Sequence, residues 1–120
     1  MTTLPREPAG TTPAVETARG RAGLVAVVDG AADRTTTLSA FGRALSFPAY
    51  YGHNLDALEE CVRDLSWLPA GPVELVWEDG PLRAADPGTH EVVTAILADA
   101  VVAAGGTDRP LHVTLAGPAA

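Results

Sequence analysis

Five apolar residues in succession, Leu24 to Val28, end at Asp29-Gly30. A run without alternation predicts a strand covered on both faces, and so a central strand of a parallel sheet. Thr35 to Thr37 offer N-caps for a helix on which Leu38, Phe41 and Leu45 recur at helical spacing, until Pro48 stops it. Asn54 can cap a second helix, with Leu55, Leu58, Val62 and Leu65 on one stripe. After the turn Pro69-Ala70-Gly71-Pro72, the positions Val73, Leu75 and Trp77 predict a second strand. Residues 78–88 hold Glu, Asp, Gly and Pro and predict a loop. Thr89 is the expected cap of a third helix with a core face of Val92, Val93, Ile96, Leu97, Ala100, Val101 and Ala104. Gly105-Gly106 ends it, and Leu111, Val113 and Leu115 predict a final short strand.

Strands separated by helices imply parallel pairing with right-handed crossovers. The fold class expected is therefore α/β, a small three-stranded parallel sheet packed with helices. Residues 22–116 form its single domain. Residues 1–21 are rich in Pro, Thr, Ala and Gly without an apolar period, which predicts a disordered leader, and residues 117–120 predict a short tail.

Charge narrows the partners. The chain of 120 residues has fifteen acids, eight Arg and no Lys, for a net charge of −7. Its first 21 residues carry +1, so residues 22–120 carry −8. Such a unit repels nucleic acid and anionic membrane, whose phosphates are bound by Lys and Arg, and attracts basic proteins. The single cysteine, Cys61, rules out an internal disulfide and fits a reducing compartment. The N-terminus lacks the pattern of a secretory signal and there is no long apolar span, so a cytoplasmic protein is expected.

The templates for enzymes and metal sites fail. No GxGxxG or P-loop occurs. His90-Glu91-Val92-Val93-Thr94 begins like a zinc helix but has Thr where the second His must stand. Asp56 and Glu60 are four residues apart, side by side on one open helix face and not across a cleft, which is poor geometry for a hydrolase. Cys61 borders the apolar stripe and reads better as a core thiol than as a nucleophile. No cofactor is implied.

What remains is the run from Pro48 to Arg63. If Leu55, Leu58, Val62 and Leu65 face the core, then Asp56, Glu60, Arg63 and Asp64 face outward, with Glu59 between. A first-turn acid complements the helix dipole, which accounts for Asp56. It accounts less well for Glu60, which repels Asp56 one turn away and gains only when a cation arrives. Of Tyr50 and Tyr51, one is expected in the core and one as a binding anchor, with spacing unable to say which. Gly52 predicts a positive φ or a close approach by another chain.

The run Pro48-Ala49-Tyr50-Tyr51-Gly52-His53-Asn54-Leu55-Asp56-Ala57-Leu58, continuing through Glu60-Cys61, resembles the signature of the barstar family, intracellular inhibitors of secreted bacterial ribonucleases. The order of strands and helices over about residues 23–115 resembles that family too. The resemblance implies charge mimicry: carboxylates on a helix occupy the positions of RNA phosphates in a basic ribonuclease site. It puts Glu60 at the central inhibitory acid, Asp56 at a second contact acid, Tyr50 at an aromatic contact, and Gly52 and Asn54 at loop contacts beside it. The partner-binding set is then Tyr50, Gly52, Asn54, Leu55, Asp56, Glu59, Glu60, Asp64 and Asp99.

Four departures from the family pattern stand out. Glu60 is one methylene longer than the usual Asp. Glu59 replaces an apolar Trp anchor. Asp99 is nearest to the late-helix contact acid but one position off. Leu65 to Gly71 is about three residues longer. Two alternatives stay open: a barstar-like module for another basic protein or a toxin that is not a ribonuclease, and a small hydrolase using Asp56 and Glu60.

Overall fold

A computed structural model describes residues 3–21 and 23–119. Residues 1, 2, 22 and 120, which belong to the expected leader, domain start and tail, lie outside the described residues. The elements in order are β1 (Arg6–Glu7), α1 (Thr11–Arg19), β2 (Leu24–Val28), α2 (Arg34–Ala44), α3 (Leu55–Asp64), β3 (Val73–Trp77), α4 (Gly80–Ala85), α5 (Pro87–Ala104) and β4 (Leu111–Ala116). The sheet is wholly parallel, in the order β1-β4-β3-β2. It is the expected α/β fold, with four strands in place of three. No helix among the described residues is long and apolar enough to cross a membrane.

The sheet divides the core in two. Val73, Leu75 and Trp77 of β3 and Leu111, Val113 and Leu115 of β4 point into the main cluster, which takes in buried side chains of α2, α3, α4 and α5. Trp77 is fully buried, with the Phe41 ring edge-on at 5.3 Å. The other face carries a smaller cluster of Val76 and Ala116 with Ala14 and Ala18 of α1. Residues on alternate sides of one strand thus serve two layers of helices.

The sheet and its helices depart from the sequence reading in several places, each for a local reason. The composition of residues 1–21 predicts disorder, but residues 3–21 hold a strand and a helix. Two small residues one turn apart, Ala14 and Ala18, let α1 lie close on the sheet, and two alanines are too little apolar surface to read as a period. The tail is held as well: the Gly117 amide donates to the Glu7 carbonyl and Pro118 accepts from Arg83. β2 is an edge strand, not a central one, with Leu24 and Val27 exposed. Its apolar run has no partner strand on its outer side. The expected loop 78–88 contains α4, started by Pro81 in its first turn and anchored by buried Leu82. Two caps shift: Asp33 caps α2 through the Thr36 amide, and Asp86 caps α5 through the Thr89 amide. Thr89 is buried instead, and Val92 is exposed.

Candidate functional site

The segment before α3 is fixed by aromatic packing. Phe47 meets Trp67 edge-on at 5.8 Å and Tyr51 at 4.7 Å, and Tyr51 lies 4.6 Å from the His53 ring. The Tyr51 hydroxyl donates to the Leu38 carbonyl at 3.0 Å, and Trp67 Nε1 donates to the Leu45 carbonyl. Gly42 makes room for this: a Cβ there would lie 3.1 Å from the Tyr51 ring. Burial pushes the Tyr51 phenol up to about 12, with a further contribution from Cys61. Tyr51 is therefore the core tyrosine. Tyr50 is the outward one, 66% exposed.

Gly52 does not carry the positive φ. That conformation falls on His53, at φ 54°, immediately before the cap. Gly52 instead clears the cap itself, since a Cβ there would lie 3.2 Å from the Asn54 side-chain nitrogen. Asn54 accepts from the Ala57 amide at 2.8 Å and so fixes where α3 begins. At the other end Leu65 turns the chain in the left-handed conformation, with φ 50°. The helix is amphipathic as its spacing predicts: Leu58, Cys61 and Val62 are buried within it, and Leu65 just beyond it. Leu55 is only partly buried, at the rim.

Asp56, Glu59, Glu60 and Asp64 are all exposed on α3. Among the described residues none of the four forms an ion pair. Tyr50 shares their field: partial desolvation, then the charges of Cys61, Asp64 and Glu60, raise its phenol above the ordinary value. Burial, then Glu60 and Asp64, push the Cys61 thiol up, so it is a protonated core group and not a nucleophile. The structure thus brings Tyr50, Gly52, Asn54, Leu55, Asp56, Glu59, Glu60 and Asp64 onto one continuous stretch of surface. It does not bring Asp99 with them. Asp99 borders a hollow of about 530 Å³ between Thr3, Leu4 and α5, shared with Glu91, Thr94 and Ala98.

A model of the family of barstar, the barnase inhibitor, matches residues 23–116. The chain belongs to the barstar family. The match takes in α3 and the whole loop before it, and begins after α1. Among curated protein sequences none matches the chain. The family is one of ribonuclease inhibitors.

Sequence reasoning missed a second set of charged groups. Asp79 is fully buried, with Arg6 donating to both its oxygens at 2.9 and 2.7 Å and His90 Nε2 at 2.7 Å. Burial works against its charge, but the hydrogen bonds and charges of Arg6 and His90 outweigh it and hold the carboxyl below the usual carboxylate range. Glu74, in the inner strand β3, is equally buried and is bound by Arg21 and His112. The one available signal was Glu74 itself, an acid inside an otherwise apolar strand.

Proposed function

We propose that this protein inhibits a bacterial ribonuclease by laying the acidic face of α3 and Tyr50 over the enzyme's basic active site, and that it acts in the cytoplasm as the immunity protein for a secreted nuclease. The observation that carries the reading is the outward face of α3: four carboxylates that form no ion pair among the described residues, on a helix capped by Asn54 and preceded by the buried Tyr51. Crowded like charges destabilise the free protein slightly and are relieved when a cationic surface arrives. Ribonuclease sites are cationic because they bind phosphates, so carboxylates held at fixed spacing can fill those positions without offering a bond to cleave. Tyr50, exposed beside Glu60 and Asp64, supplies an aromatic anchor of the kind enriched at interface centres. Family membership supports the class of partner.

Glu60 is the central contact in this reading, with Asp56, Glu59 and Asp64 around it and Gly52, Asn54 and Leu55 at the rim. Asp99 stands outside the patch and is a secondary contact at most. The test is titration of a barnase-type ribonuclease with the purified protein. Activity should fall linearly to zero at one equivalent, and Glu60→Ala should weaken inhibition by roughly tenfold or more. Full inhibition by a protein carrying both Asp56→Ala and Glu60→Ala would defeat the mechanism. No inhibition by the wild type, with capture of a different basic protein, would favour a non-ribonuclease partner.

A further inference from the structure

Two buried carboxylates mark β3 and its exit, one on each side of the sheet. β3 contributes Glu74 to the face that α1 covers, and Asp79, two residues after the strand ends, lies on the opposite side, beside Arg83 of α4 and His90 of α5. Both side chains are almost completely removed from water. A buried carboxylate is strongly destabilising unless paired and hydrogen-bonded. Residues 23–116 supply only part of that pairing: His112 to Glu74, and His90 with the more distant Arg83 to Asp79. The remaining partners come from outside the family match. Arg6, from β1, makes the two-pronged bond to Asp79, and Arg21, just past α1, binds Glu74.

The two arginines bracket α1. Between them the helix buries little more than Ala14 and Ala18 against Val76 and Ala116, with Val15 and Val25 at the edge. So small an apolar contact holds a helix weakly, since the hydrophobic effect scales with the area removed from water. Charge at both ends does the rest. β1 adds backbone bonds, with the Leu115 amide donating to the Pro5 carbonyl and the Gly117 amide to Glu7.

We propose that residues 3–21 clasp the sheet from both sides, Arg21 at Glu74 on the face that α1 covers and Arg6 at Asp79 on the side of α4 and α5, and that the barstar-family portion of the chain is cooperatively stable only with that segment docked. The segment is then the third layer of the domain and not an appendage to it. The Arg6 clasp is the drier of the two, its side chain 18% exposed against 44% for Arg21, and contributes more.

The experiment is urea unfolding of the full chain, with hydrogen exchange, for Arg6→Gln, Arg21→Gln and the compensated pairs Arg6→Gln/Asp79→Asn and Arg21→Gln/Glu74→Gln. Each single change should raise the unfolding equilibrium constant by about 10- to 100-fold, more for Arg6, because it strands a buried carboxylate. Exchange should speed up together at Leu115, beside the segment, and at Leu58, in α3 on the far side of the sheet. The compensated pairs should be more stable than the matching singles, and they decide the matter if a single variant does not fold. Single variants within about twofold of the wild type would overturn the proposal. So would faster exchange confined to Leu115 and Gly117, or compensated pairs no more stable than the singles.

Discussion

Replacing Tyr51 by Phe should change how stability depends on alkaline pH, and the composition makes that measurement unusually clean. The chain has no Lys and only two Tyr, so between pH 9 and 12 the groups that titrate are the two phenols and the Cys61 thiol. Tyr51 is 7% exposed, and its phenol is raised from 10.0 to about 12 by burial. A raised folded pKa means the neutral hydroxyl contributes stability that is fully present below pH 10 and is lost as pH climbs toward 12. At about 1.4 kcal/mol per unit, the loss has a ceiling of about 3 kcal/mol. Cys61 adds a smaller loss that begins near pH 9, since burial raises its thiol too. Removing the hydroxyl costs about 1 kcal/mol at neutral pH, because its bond to the Leu38 carbonyl disappears. Urea unfolding followed by tryptophan fluorescence at pH 8, 10, 11 and 12 gives the profile. Wild type should lose stability steeply above pH 10, Tyr51→Phe should lose only the smaller parts due to Cys61 and Tyr50, and Tyr51→Phe with Cys61→Ala and Tyr50→Phe should be nearly flat. An alkaline slope unchanged by Tyr51→Phe would refute the assignment of Tyr51 as the buried phenol.

Other consequences follow from the caps and the buried acids. Asn54→Ala should lower stability by about 1 kcal/mol through loss of the bond to the Ala57 amide, read as a shift in the urea midpoint at unchanged slope. Asp79 has a folded pKa below its ordinary 3.8, so its contribution is present above that pH and lost as pH falls through the lower folded value. His90→Gln removes one of the groups that hold it down and should move the acid unfolding midpoint to higher pH; an unmoved midpoint would contradict the assigned network.

Much of α3 was legible in the sequence because its signals are local. The Asn54 cap and the stripe of Leu58, Val62 and Leu65 are set by spacing along one helix, and the outward acids follow from the same geometry. Which tyrosine turns inward was not legible, since that depends on Gly42 and on the Leu38 carbonyl, nine and thirteen residues away. β2 read as central because its apolar run says nothing about how many strands flank it. The N-terminal layer was the least visible part. Its docking rests on two alanines and on arginines whose partners are 53 and 73 residues distant, and no local pattern reports such pairs.

The central claim, that the carboxylates of α3 substitute for phosphates in a ribonuclease site, is tested most directly by neutralising them together. A variant carrying Asp56→Asn, Glu59→Gln, Glu60→Gln and Asp64→Asn keeps the shape of the helix and removes its charge. Its affinity for a barnase-type ribonuclease, measured from 50 to 500 mM salt, should be at least about 100-fold weaker at the lowest salt, a loss of about 3 kcal/mol. It should also be nearly independent of salt, where the wild type weakens steadily as its charges are screened. A neutralised variant that binds as tightly as the wild type, with the same salt dependence, would contradict the account.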